Sequence, residues 1–163
     1  MSRRYLFVAL ACALGAAGLA QTQSQAQNAG GFGPNEVVRA RQAAFSLSAG
    51  DFMALRAAAG MSIEPGKVAG QAGALRRWAH TLPIMFPAGT AMGQTSAPTQ
   101  ARPLIWSDSA GFSARASAFA LATDHLADAS KANDPAAFKA AVGEVGKACG
   151  ACHDVYRAEE RHG

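Results

Sequence analysis

Cys149-Gly150-Ala151-Cys152-His153 is the run in this chain whose residue types and spacing specify a chemistry. Two thiols three residues apart, followed at once by an imidazole, form the C-x-x-C-H pentad to which a c-type haem is attached. The thiols add to the porphyrin vinyl groups and the histidine binds iron. On a helix, positions i, i+3 and i+4 share a face, so both sulfurs and the imidazole can meet one macrocycle. A zinc site would require two further soft ligands, and the only other cysteine, Cys12, lies in a segment read below as removed. A redox dithiol of the thioredoxin kind would sit beside a βαβ pattern, and none is visible.

The elements that must position the pentad follow from periodicity and punctuation. A first helix, with Asn35 after Pro34 as its cap, carries the stripe Val38, Arg41, Phe45, Ser48, Phe52, Leu55 and Ala59 and stops at Gly60. Arg41 falls on that apolar stripe, where an unpaired charge is costly. It either lies along the stripe and reaches out to water, or partners a buried anion such as a haem propionate. A second helix begins near Glu64-Pro65, buries Val68, Ala72, Leu75, Ala79 and Leu82, and ends at Pro83. A long connection runs from Pro83 to about Trp106; a loop of that length in a compact domain is usually functional, and here it could wrap a haem edge. A third helix opens at Ser107 or Asp108 and repeats Phe112, Phe119 and Leu126 at heptad spacing. A fourth opens at Asp134-Pro135, and its stripe, Phe138, Val142, Val145, Cys149, Cys152 and Tyr156, passes through the pentad. The fold class is therefore all-α, an antiparallel four-helix bundle with a covalently bound haem in its interior.

Length and composition agree with one such domain. The chain has 163 residues, of which 16% are charged. Residues 1–26 have the form of a secretory signal: Arg3 and Arg4, an apolar stretch from Tyr5 to Ala20, and small-x-Ala sites ending at Ala20 and Ala26. That apolar run is too short for a membrane span. Residues 27–163 then form the haem domain, placed in the periplasm by the general secretory route. Without Arg3 and Arg4 the chain holds 13 basic and 11 acidic residues. No basic stripe with interleaved aromatics is present, so nucleic acid is not an expected partner.

The runs VGKACGACHDVYR (Val145 to Arg157), ARPLIWSD (Ala101 to Asp108) and RQAAF (Arg41 to Phe45) resemble cytochrome c′, the four-helix-bundle haem proteins of bacterial periplasms. The resemblance spans essentially the whole mature chain. It implies one haem c per chain, joined to Cys149 and Cys152, with His153 as the axial ligand and the sixth iron position open, leaving high-spin iron. It further implies that Arg41 and Gln42 contact the propionates, that Phe45 covers the distal iron face, that Arg157 flanks the proximal side, and that Gln100 approaches the haem. Nitric oxide and carbon monoxide are the implied ligands, beside an electron partner, and a homodimer formed through the first two helices is implied as well.

Two other functions are weighed against this. A low-spin electron carrier would take a methionine from the first helix; Met53 is the only one there, two turns beyond Phe45. A peroxidase would require a distal acid or base, for which His80 and His125 are available, both on helix surfaces by their spacing; His162 lies near the chain end. No enzyme activity is expected. Lys67, Lys131, Lys139 and Lys147 are too few for a lysine-ringed docking face.

Overall fold

Proline, aspartate and glycine punctuate the chain into helices whose apolar stripes have to find one another. The computed structural model describes residues 31–159. Helix α1 runs Pro34–Gly60, α2 Ala69–Thr81, α3 Ser109–Lys131 and α4 Pro135–Tyr156. Short 3₁₀ turns at Pro65–Val68 and Leu82–Met85 flank α2, and a single helical turn at Leu104–Ser107 precedes α3. No strand occurs among the described residues; Ala101 and Arg157 form one isolated antiparallel bridge.

The caps explain the boundaries. Asp134 accepts from the backbone N–H groups of Ala136 and Ala137, both at 3.0 Å, with Pro135 in the first turn. Asp108 accepts from Gly111 N at 3.1 Å and starts α3. The expected cap of α1 differs: Gly33 occupies that place without a side-chain bond. Asn35 lies inside the first turn, and its Oδ1 accepts from Ala97 N at 2.9 Å. A donor in the long connection has thus taken the group that local reasoning assigned to the helix. Pro83 does not end α2 abruptly either, since a proline without an N–H fits the first turn of the 3₁₀ segment that follows.

Cross-helix pairs fix the directions. Arg76 and His80 of α2 meet Asp124 of α3, Asp108 at the start of α3 meets Tyr156 at the end of α4, and Phe45 of α1 meets Trp78 of α2. Each neighbour runs antiparallel to the last, and α3 packs on both α2 and α4. Phe112, Phe119 and Leu126 are buried as the heptad predicts, and alanines at 72, 79, 116, 122 and 129 let the helices approach closely. Each buried Phe or Leu stabilises by roughly 1.5–3 kcal/mol relative to exposure.

The level of the pentad follows from one contact. Phe52 of α1 lies over Gly146 of α4, where an added Cβ would stand 3.5 Å from the Phe52 ring. Because the helices are antiparallel, two turns back from Phe52 along α1 and one to two turns forward from Gly146 along α4 bring Phe45 level with Cys149 to His153.

Candidate haem site

Cys149, Cys152 and His153 all lie within α4, as the i, i+3, i+4 argument requires. Both cysteines are half-buried, unbridged, and packed against the core. Burial pushes both thiols up, reinforced at Cys149 by its neighbour Cys152 and opposed at Cys152 by Arg115. Such thiols lack the thiolate character of a redox pair. Burial also lowers His153, with Arg157 adding to the effect and Asp154 opposing it, and a neutral imidazole is the form that binds a metal. Among the described residues no group of three His, Cys, Asp or Glu side chains is placed to hold a metal ion by itself.

Arg41 is 2% exposed, so it does not reach out to water along the stripe. All four of its terminal N–H donors are taken by the long connection. Nη1 donates to Met85 O at 3.2 Å and Thr90 Oγ1 at 3.1 Å; Nη2 donates to Thr90 O and Thr99 Oγ1, both at 3.0 Å. The guanidinium also stacks 4.3 Å from the centre of the Phe86 ring. Beside it Gln42 Nε2 donates to Pro98 O at 2.7 Å. Every hydrogen-bond acceptor of Arg41 is neutral, so it is a buried cation without a carboxylate. Burial pushes it down to about 10, and it therefore stays charged at neutral pH. That unbalanced charge fits an acidic group of a bound cofactor.

A chain of aromatic rings links α1, α2, the long connection, α3 and α4. Phe45 stands edge-on to Trp78 at 5.0 Å and to Phe86 at 6.4 Å; Phe86 in turn meets Phe112 at 5.0 Å, and Phe112 meets Tyr156 at 5.4 Å. Only Phe45 of these was singled out from the sequence as a site residue. Trp78 and Phe86 lacked a motif, although Phe86 follows the stop of α2 where a covering loop was expected.

The end of α4 is fixed by the long connection. The helix stops at Tyr156, and Arg157 is its extended cap, with φ −105° and ψ 131°. The bridge to Ala101 captures it, reinforced by Arg102 N donating to Tyr156 O at 3.0 Å and Ala158 N to Gln100 O at 2.8 Å. Gln100 Oε1 accepts from Arg157 Nε at 2.6 Å, so Gln100 is turned toward Arg157. Met53 is 59% exposed on the outer side of α1. His80 is paired with Asp124 at 3.0 Å and His125 with Glu144 at 2.9 Å, all on helix surfaces. An open groove of about 720 Å³ beside His80 is lined by α2 and α3 and includes no residue of α4. His162 and the 1–26 signal segment lie outside the described residues.

Tyr156 locks this end. Its hydroxyl donates to Asp108 Oδ2 at 2.6 Å, and a Cβ on Gly111 would overlap both groups. The bond to Asp108 pushes Tyr156 up to about 12, with burial and the carboxylate charge adding, and holds Asp108 below its ordinary value. A raised tyrosine contributes stability that is complete below its ordinary value of 10.0 and is lost as pH climbs through about 12. The lowered Asp108 contributes above 3.8, and that share is lost on acidification. Tyr156 is the one tyrosine beyond Tyr5. Phenolate absorbance of a chain lacking residues 1–26 should therefore titrate near 12 and move toward 10 in Asp108→Asn; an ordinary value in the unmodified chain would refute the pairing.

A bundle helix bearing haem-attachment chemistry on its core side, near the C-terminal end of the last helix, places the protein among the c-type cytochromes built on four-helix bundles. The chain belongs to the cytochrome c′ family, whose model, described as Cytochrome C', matches residues 36–157. It is 43% identical over 126 residues to cytochrome c′ of Rubrivivax gelatinosus, covering 76% of this chain and 95% of that one. The crystal structure of that organism's cytochrome c′ at pH 8.0 superposes with a TM-score of 0.70 at 38% identity, covering 77% and 97%. A nitric oxide complex of a single-substitution variant of cytochrome c′ from Alcaligenes xylosoxidans gives 0.71 at 30% identity, covering 80% and 100%. As a member of the family the chain carries one covalently bound haem c. No described helix is long and apolar enough to cross a membrane.

Proposed function

We propose that the protein is a periplasmic cytochrome with five-coordinate, high-spin iron that binds nitric oxide or carbon monoxide and exchanges electrons. Cys149 and Cys152 would hold the haem through thioethers, and His153 would supply a nitrogen to its iron. The haem supplies one-electron exchange and an iron position open to a small ligand. Arg41 and Gln42 secure the loop over the propionate edge, and the uncompensated Arg41 charge attracts a propionate. Arg157, held by Gln100, keeps positive charge near the proximal imidazole and disfavours further negative charge there.

The observation that carries this reading is the level of Phe45, opposite the pentad and unable to ligate iron, while Met53 faces outward. A hydrocarbon cover gives water and anions no partner, so small neutral gases are the ligands it admits. The nitric oxide complex of the Alcaligenes relative supports the same ligand here. Phe45→Ala is expected to speed carbon monoxide association roughly tenfold, equivalent to about 1.4 kcal/mol in the entry barrier. Unchanged rates would show that Phe45 is not the cover. A low-spin ferric spectrum with a methionine-to-iron band would replace the whole reading with that of a saturated electron carrier.

Export through the 1–26 signal supplies the compartment in which haem is attached. A homodimer through α1 and α2 is supported by Leu47 and Met61, 74% and 66% exposed, with Ala43, Gly50, Ala54 and Ala57 at heptad-like spacing between and around them. Sedimentation as a monomer at micromolar concentration would refute that assembly.

A further inference from the structure

Trp78 carries the only side-chain nitrogen or oxygen among the described residues that is buried without a hydrogen-bond partner, its indole Nε1. A buried N–H without an acceptor is a standing penalty that folded proteins rarely tolerate. The contrast with Trp106 is direct, for its Nε1 donates to Phe86 O at 3.0 Å and Pro87 O at 3.2 Å. Trp78 projects from α2 toward α1, where its ring meets Phe45 at 5.0 Å with the planes 83° apart. Phe86, the other ring against Phe45, is held by the Arg41 guanidinium at 4.3 Å and by Phe112 at 5.0 Å. Phe45 therefore lies between an anchored ring and an indole whose donor is unused.

We propose that Trp78 is a ligand-selectivity residue: when Phe45 yields to an incoming diatomic, the Nε1–H of Trp78 donates to the outer atom of that ligand. This rests on the reading of Phe45 as the distal cover. The class of ligand favoured is a diatomic that gains partial negative charge on its outer atom when held, because only such an atom is a good acceptor. An apolar cover alone selects by size and charge; a single latent donor adds selection by polarity.

The probe is carbon monoxide on the reduced haem protein, compared in wild type, Trp78→Phe, Trp78→Leu and Phe45→Ala. Three readouts are taken: the indole N–H resonances, with Trp106 as internal reference, the infrared C–O stretch, and the dissociation rate. The expected result is a ligand-dependent shift of the Trp78 N–H with Trp106 unmoved. The C–O stretch should rise in Trp78→Phe, which keeps an aromatic ring but lacks the donor, and dissociation should be roughly threefold faster, the size of one modest hydrogen bond. If Trp78→Phe changes neither stretch nor rate while Phe45→Ala speeds association, the donor role is overturned and the cover stands. If Phe45→Ala leaves association unchanged, the cover fails, and with it the premise for Trp78. Equal changes in Trp78→Phe and Trp78→Leu stretches support the donor; a change in Trp78→Leu alone assigns Trp78 to packing and overturns it.

Discussion

Replacing Cys149 and Cys152 together by Ser is expected to yield apoprotein: polypeptide mass alone, and no haem retained after extraction with acidified organic solvent. The substitution is close to isosteric at two half-buried positions of α4, so the helix itself has no reason to fail. What is lost is the pair of thioether bonds, leaving His153 as the single attachment to iron. A lone imidazole–iron bond is reversible, and haem at low free concentration would not saturate it. The bundle then has to close without the contacts of its cofactor. Helical content should persist while the thermal transition falls by on the order of 10 °C, which for a domain of this size corresponds to about 3 kcal/mol. Each single variant should retain haem through one thioether at reduced yield. Full retention of extraction-resistant haem by the double variant would contradict covalent attachment at these residues.

The features of the site that the sequence made legible are those whose physics is local. The pentad needs only helical geometry. The cap at Asp134-Pro135 and the heptad Phe112, Phe119, Leu126 need only the four to fourteen residues around them, and all three appear as expected. Local reasoning failed wherever the long connection intervened. Thr90 and Thr99, which hold Arg41, are 49 and 58 residues away from it, and no periodicity links an irregular segment to a helix at that distance. The same segment took Asn35 through Ala97 N, and it holds Arg157, the residue after α4, through the Ala101 bridge. The stripe of Arg41 left burial and reach to water both open, and only the fold decided for burial. Its partners were not legible either, because a propionate and a row of loop oxygens satisfy a guanidinium equally well on paper.

Arg41→Ala is expected to cost about 3–5 kcal/mol, a large share of a domain's total stability. Arg41 is the largest fully buried side chain in the described structure, so truncation leaves a cavity of several methylenes lined by Phe86 and the connection. It also strips donors from four acceptors, of which the Thr90 carbonyl belongs to a residue with no solvent exposure at all. An unsatisfied buried acceptor by itself costs about 1–3 kcal/mol. Thr90 Oγ1 keeps its own bond to Pro87 O at 2.8 Å and Thr99 Oγ1 still accepts from Ala101 N at 3.2 Å, so the loss falls most on the Thr90 carbonyl. Removing the charge gives some of this back, since burial holds the guanidinium down to about 10 and the desolvation penalty is present at every pH below that. Arg41→Lys separates the contributions: it retains the charge but offers three donors from one point in place of four from a planar fork, and should lie between wild type and Ala. Denaturant unfolding of the haem-loaded protein measures the ordering, and limited proteolysis locates it, with first cleavage expected between Pro87 and Thr99. If Arg41→Ala unfolds at the wild-type midpoint and its connection resists protease, the loop is held by Asn35, Gln42 and the Ala101 bridge without help from the buried cation.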